Sequence, residues 1–534
     1  MCGIKAVFGE YTFLDEVKSF QNIKNRGPDQ TTIISKKDFF LGFHRLAIVD
    51  LSEEGNQPFY SNGVYLICNG EIYNHKLLRE HKVLRKSFET VSDSDCAVII
   101  PGYLKYGVSF FDCLDGDFAF VLYDTREETV YFYRDPYGVR PLFYQTAGRL
   151  TVCSEIKGFY DLIHPVYPVQ PRVLYSMCLR TKTMNLTEFY HFPYLQKSSA
   201  KKLLKSPAGS SSILRELLEK SVVSRLMSER PIGALLSGGL DSSLIAAILN
   251  SKVPVLKSPA EQLLNTFSIG LSGSVDLHCA KIVAEYLGTV HHEIIITPKE
   301  IIKAIDKVIY TLESYDITTI RASIPMYLLS KYISEKTDIK VLFSGEGSDE
   351  LFGGYLYFNN APNETEFEEE TFRLVENLFT FDNLRADRVT AAHGLELRVP
   401  FLDRTFAETV LNIPGNIRMP SANGNIEKKL LRDSFRSESI LPPEILNRRK
   451  EAFSDGVGKT LRSCITEFTE RVVASLPEGY PSKEAYYYKT VFNNFFKGQD
   501  HVIVNYRHPL SKNYWMPNWN PDIKDPSATF LPIY

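Results

Sequence analysis

The chain has 534 residues, 44% of them hydrophobic and 23% charged, with a formal net charge of −3 at pH 7. That length exceeds one ordinary core and predicts roughly two to four domains, and the apolar share excludes a disordered chain. A charge so near zero gives no general reason to expect nucleic acid or a membrane surface as partner, and no apolar run reaches the roughly eighteen residues of a membrane span.

The first 190 residues are predicted to be rich in β-structure. IKAVFGEY, DFFLGFHRLAIVD, VYLICNGEIY, DFAFVLYD, TVYFYRD and RLTVCSE are alternating or apolar runs separated by turn formers such as RGPDQ, EEGNQP, YSNG and DPYG. HKLLREHKVLRK and DSDCAVIIPGYLKYG read as helices between them. Residues 193–212, PYLQKSSAKKLLKSPAGSSS, read as a linker, which puts the domain boundary near 200–210. Beyond it, strands (IGALL, TFSIGL, HHEIIIT, IKVLFSG) alternate with helices (ILRELLEKSVVSRLM, SLIAAILN, DLHCAKIVAEYLG), the pattern of a parallel sheet. The acidic run NETEFEEE (363–370) reads as a solvated helix start.

The start, MCGIKAVFGEYTFLDEVKSF, lacks the pattern of a secretory signal. The eight cysteines include no CxxC pair, which argues against disulfide or zinc frameworks and for a reducing, cytoplasmic setting.

Two groups of motifs carry chemistry. Removal of Met1 would leave the Cys2 thiol beside a free α-amine, which can act as base for its own nucleophile. RGPD (26–29), HRLAIVD (44–50), NGEIYNH (69–75) and SDSD (92–95) add groups suited to an amino-acid ligand. Arg45 can grip a carboxylate, Asp95 an ammonium, and Asn69 with the Gly70 amide can donate into an oxyanion hole. Each has a plainer explanation: Asn-Gly is a common turn, and Arg45 suits a surface ion pair. The second group lies at strand ends. SGGLDSS (237–243) opens a helix and can cradle phosphate, although a serine cap on a glycine turn would look the same. SGEGSDELFGGY (344–355) places Glu346, Asp349 and Glu350 close together, and RRKEAFSDGVG (448–458) offers Lys450 to a pyrophosphate.

MCGI, RGPD, HRLAIVD, NGEIYNH and YFYRDPYGVRPLFY together resemble the class II glutamine amidotransferases, N-terminal-nucleophile hydrolases with an αββα sandwich. The resemblance implies that Cys2 attacks the glutamine amide, forms a glutamyl thioester and releases ammonia. It assigns Arg45, Leu46, Ala47, Ile48, Val49, Asn69, Gly70, Glu71 and Asp95 to glutamine binding, with Asn69 and Gly70 as the oxyanion hole.

SGGLDSS is similar to the PP-loop of ATP pyrophosphatases. With LESYDITTIRAS (312–323), SGEGSDELFGGY, AAHGLELRVPFLD (391–403) and RRKEAFSDGVG, the chain resembles the glutamine-hydrolysing asparagine synthetases. That resemblance implies two domains: an amidotransferase domain over 2–200, and over 210–534 a parallel-sheet α/β domain of the ATP-pyrophosphatase (adenine nucleotide alpha hydrolase-like) kind. It implies ATP and Mg²⁺, with aspartate and glutamine as the other substrates. Leu235, Ser237, Gly238, Gly239, Asp241, Ser242, Ile269, Ser344 and Gly345 would hold the nucleotide, and Asp241 and Asp349 the metal. Glu346 would be needed to form β-aspartyl-AMP, Lys450 would steady the leaving pyrophosphate, and Thr318 and Arg321 would lie near the aspartyl group. An interdomain ammonia tunnel is expected. The departures are mild: Ala97 and Ser314 stand where many members carry Glu and Thr. Three rivals are a β-lactam synthetase-like ring closure, amidation of another carboxylate, and a glutamine or nucleotide sensor. The intact Cys2, Asp241 and Glu346 argue against a sensor. The oligomeric state stays open, a homodimer included.

Overall fold

The computed structural model describes residues 1–80, 92–192, 207–252, 263–450 and 460–501, with Pro517 and Trp519.

Two six-stranded antiparallel sheets form the amino-terminal half. In the first the strand order is Tyr167–Pro168, Phe143–Gln145, Leu150–Cys153, Gly3–Phe8, Phe39–Arg45, Gln30–Ser35. In the second it is Thr183–Glu188, Val173–Cys178, Thr129–Arg134, Gly116–Asp124, Val64–Ile72, Phe59–Ser61. Strand alternation turns Ile4, Ala6, Phe8, Leu41 and Phe43 of one sheet toward Ile67, Ala119, Val121 and Phe132 of the other, and these make the core between the sheets. The opposite face of the first sheet is covered by the helix Phe13–Gln21, where Lys5, fully buried, pairs with Glu16 at 2.6 Å. The helix Ile99–Tyr106 and the turn Gly107–Cys113 cover the second. The layering is αββα, as expected.

The carboxyl-terminal half is built on a five-stranded parallel sheet, ordered Val290–Ile296, Asn265–Leu271, Ile232–Leu235, Val341–Phe343, Glu396–Arg398. Helices Leu240–Lys252, Val275–Leu287 and Ile317–Lys336 pack on it through one apolar core. Among the described residues no helix is long and apolar enough to cross a membrane.

Three expectations need correction. The linker reading of 193–212 falls mostly on residues outside those described, but Pro207–Ser224 is one helix, so PAGSSS is its first turns. Proline is tolerated there because a first-turn N–H needs no partner, and burial of Leu214, Leu218 and Val222 outweighs weak local propensity. The acidic run starts a helix, Glu364–Asn377, capped by Asn363, but it is not solvated throughout. Phe367, Glu368 and Glu370 are buried; Glu370 accepts the Tyr357 hydroxyl at 2.6 Å, and Glu368 accepts the Gly415 N–H at 2.8 Å. Of HRLAIVD, only the first two residues belong to a strand, which stops at Arg45.

Candidate functional site

Cys2 immediately precedes the central strand Gly3–Phe8. Its backbone N–H donates to Asn69 Oδ1 at 2.7 Å, and its thiol points at the Leu46 carbonyl at 3.8 Å. Asn69 and Gly70 lie side by side on Val64–Ile72, paired with Ala119 and Phe118. Asn69 is fully buried, and its Nδ2 has no hydrogen-bond partner. A buried amide donor without an acceptor costs on the order of 1–3 kcal/mol and suits an oxygen supplied by a ligand. Gly70 sits at φ 135°, where a Cβ would stand 2.0 Å from the Asp117 carbonyl, so only glycine fits.

Asp95 and Glu71 flank this point. Asp95 accepts the Ile72 N–H at 2.5 Å, and burial pushes its carboxyl up to about 6. Glu71 is buried with Oε2 unpartnered, and burial beside Glu396 and Asp95 holds it well above the usual carboxylate range. Burial also pushes the Cys2 thiol up to about 11, against the pull of the neighbouring Met1 ammonium and the Leu46 hydrogen bond. Arg45 turns back on its own loop: Nη1 donates to the Ser52 carbonyl at 2.6 Å and to Asn56 at 3.1 Å, and Nη2 to the Asp50 carbonyl. The Leu46–Val49 loop leans on the other half, where Glu229 N–H meets the Ile48 carbonyl and Arg230 Nε the Ala47 carbonyl, each at 2.9 Å.

The second group surrounds a cavity of about 280 Å³ beyond the parallel strands. Leu235, Ser237, Gly239, Asp241, Ser242, Ile269, Ser344, Gly345, Glu346, Asp349, Thr318 and Lys450 all line it. Gly238 turns the loop at φ 71°, tight against Cys279 and Ala280. Gly345 lets the second strand end touch the first: a Cβ there would meet Asp241 Cβ and Ser242 N at 2.8 Å. Asp316 caps Ile317–Lys336 through the Thr319 N–H at 2.8 Å, which brings Thr318 to the wall with its hydroxyl unpartnered. Arg321, one turn on, is not among the lining residues; it forks onto Glu484 at 2.9 and 2.6 Å.

A residue missed in the sequence sits at the centre. The Lys428 ammonium lies 2.5 Å from Asp241 and 2.5 Å from Asp349, while Lys450 reaches Asp349 at 2.7 Å. Burial opposes ionisation of Asp349, but the two lysines outweigh it and hold the carboxyl at about 2. The same contest ends with Lys450 held above its ordinary value by Asp349 and Asp241. Lys428 falls in EKKLLR, which reads as any amphipathic helix start, so no local signal marks it. Burial raises Glu346, partly offset by Arg385 at 2.9 Å, another residue without a sequence signal. Among the described residues no cluster of three or more His, Cys, Asp or Glu is gathered for a metal. Two convergent carboxylates already holding one cation do fit Mg²⁺ if phosphate oxygens and water complete its shell.

A thiol beside a free buried amide, and a glycine-lined cavity beyond the parallel strands of the same chain, suit a glutamine amidotransferase joined to a nucleotide-dependent synthetase. The family models agree. Residues 1–204 match the glutamine amidotransferase domain, and residues 213–366 and 359–523 match asparagine synthase. Over its full length the chain is 42% identical to the asparagine synthetase [glutamine-hydrolyzing] of Cricetulus griseus, 43% to that of Gallus gallus and 41% to that of Homo sapiens, in each case across 99% of the relative. The chain belongs to the glutamine-hydrolysing asparagine synthetases.

Proposed function

We propose that this enzyme makes asparagine from aspartate, with glutamine as nitrogen donor and ATP as the energy source. The observation that carries the reading is the free Asn69 amide beside Cys2, in the same chain as the glycine-cradled cavity. The domains are taken as 2–200 and 210–534, whose junction lies largely outside the described residues.

After loss of Met1, the Cys2 amine takes the thiol proton and the sulfur attacks the glutamine side-chain carbonyl. The oxyanion is met by Asn69 Nδ2 and the Gly70 N–H. Ammonia leaves with the returned proton, and water cleaves the γ-glutamyl thioester to glutamate. Arg45 and Asp95 would hold the glutamine backbone carboxylate and ammonium. For Arg45 this requires release from at least one loop carbonyl.

In the second cavity the aspartate β-carboxylate attacks the α-phosphorus of ATP and pyrophosphate departs. The β-aspartyl-AMP so formed is an electrophile that a free carboxylate is not, and ammonia displaces AMP to give asparagine. Leu235 and Ile269 flank the adenine, the SGGLDSS amides take phosphate, and Lys450 steadies the leaving pyrophosphate. Asp241 and Asp349 would hold Mg²⁺, which would neutralise phosphate charge. Glu346 supports adenylation. Ammonia is mostly protonated at neutral pH, so a sheltered passage between the halves is part of the proposal.

The test is aspartate-dependent pyrophosphate release with ATP, Mg²⁺ and glutamine, matched to asparagine by mass spectrometry, with glutamate in place of aspartate as control. Pyrophosphate in step with asparagine supports the reading. Release without asparagine points to another acceptor, and no release from folded protein with Cys2 exposed favours a sensor.

A further inference from the structure

The helix Asp382–Ala391 belongs to the carboxyl-terminal half but serves both sites. Arg385 reaches Glu346 at 2.9 Å and Asp382 at 2.7 Å, on the wall of the nucleotide cavity. Two residues on, Asp387 crosses to the amino-terminal half. Its carboxylate takes Arg26 in a fork, at 2.8 Å to Nη1 and 3.1 Å to Nη2, with Arg140 at 3.5 Å. The third arm of Arg26, Nε, donates to the Cys2 carbonyl at 2.9 Å. Asp387 and Arg26 are 2% and 1% exposed, so water does not compete for these bonds. Removal of Met1 takes away the Met1 Sδ contacts of Arg26 Nη2 at 3.9 Å and Arg140 Nη1 at 2.8 Å but leaves the Cys2 carbonyl as an acceptor in the chain.

We propose that Asp387 is a positioning residue for the Cys2 nucleophile, lent by the synthetase half: it fixes Arg26, and Arg26 fixes the Cys2 backbone. A planar guanidinium gripped on two edges can hold only one orientation, and that orientation aims Nε at the carbonyl. Without the fork, Glu155, 2.5 Å from Nη1, becomes the stronger claimant and draws Arg26 off. A nucleophile misplaced by about 1 Å can lose on the order of 10²-fold in rate. The assignment rests on Cys2 being the glutaminase nucleophile.

The experiment uses the full chain with Asp387→Asn, which keeps the shape and removes the charge. Three readouts are taken: iodoacetamide alkylation of Cys2 by mass spectrometry, steady-state glutamine hydrolysis, and asparagine formation from added ammonia. The expected result is alkylation slowed at least fivefold. Glutamine kcat should fall at least tenfold with KM within twofold, and ammonia-dependent synthesis should stay within twofold. If the variant does not fold, Asp387→Glu, which keeps the charge on a longer arm, carries the test with the same split at about threefold. Wild-type alkylation and glutamine kcat in either variant overturn the assignment, and so does a parallel loss of both half-reactions. Absence of asparagine formation by the wild type would instead sink the proposed function, while the alkylation comparison would still score Asp387.

Discussion

Asn69 holds the backbone of Cys2 with one end of its side chain and leaves the other end free: Oδ1 accepts the Cys2 N–H at 2.7 Å, and Nδ2 is buried without a partner. That arrangement makes Asn69 both a locator of Cys2 and a donor without an acceptor. Asn69→Asp keeps the acceptor and deletes the donor. The expected loss in glutamine hydrolysis is on the order of 10²–10³-fold in kcat, about 3 kcal/mol of transition-state stabilisation. Ammonia-dependent synthesis is expected to stay near wild type. Equal loss of both reactions would mean that Asn69 works by holding the fold.

Cys2→Ala removes the sulfur and leaves the backbone contacts to Asn69 and Arg26 in place. Glutamine-dependent asparagine formation should disappear and synthesis from added ammonium should persist. A folded Cys2→Ala protein inactive with both nitrogen sources would contradict the division of labour between the halves.

If Asp95 holds the glutamine ammonium as proposed, glutamine hydrolysis should carry a pH signature. Its carboxyl is pushed up to about 6, chiefly by burial. Above that pH it is an anion able to pair with the ammonium of glutamine; below it the carboxyl is neutral. The kcat/KM for glutamine hydrolysis should therefore fall about tenfold per unit below pH 6, since this ratio reports the free enzyme. Asp95→Asn should remove that limb. The stability effect has the opposite sense. The folded pKa lies above the unfolded one, so Asp95 favours the fold most at low pH, and its contribution is lost as pH rises from about 4 through 6. Urea unfolding at pH 7 should find Asp95→Asn no less stable than wild type.

The layers and both strand-end loops were legible in the sequence because each rests on local pattern. Alternation marked Gly3–Phe8 and Gly116–Asp124, and glycine at SGG and SGEG marked close approach. What the sequence hid depends on distant packing. Lys428 meets Asp241 across 187 residues, and Asp387 meets Arg26 across 361. No spacing rule joins such positions. Residues 213–224 of the helix Pro207–Ser224 were legible from their apolar spacing, but its first turns, 207–212, read as linker because serine, proline and glycine speak for one locally, and the buried Leu214, Leu218 and Val222 carry the helix back through them. Arg45 and Arg321 were identified by motif, but their hydrogen bonds belong to the fold, and the structure gives both guanidinium groups to protein acceptors.

Gly345→Ala tests the cavity with one methyl group. The added Cβ would stand 2.8 Å from Asp241 Cβ and from the Ser242 backbone N, atoms of the SGGLDSS segment itself. Neither can yield without moving the loop that SGGLDSS forms, and overpacking of this kind costs about 1–3 kcal/mol. The strain falls on the wall of the proposed nucleotide cavity, because Asp241 also carries the Lys428 contact at 2.5 Å and accepts the Ser348 hydroxyl at 2.7 Å. The KM for ATP should rise at least tenfold, and aspartate-dependent exchange of labelled pyrophosphate into ATP should fall with it. Glutamine hydrolysis, in the other half, should stay within about twofold. An unchanged KM for ATP would mean that nucleotide does not approach the Gly345 backbone, and the cavity would need another ligand.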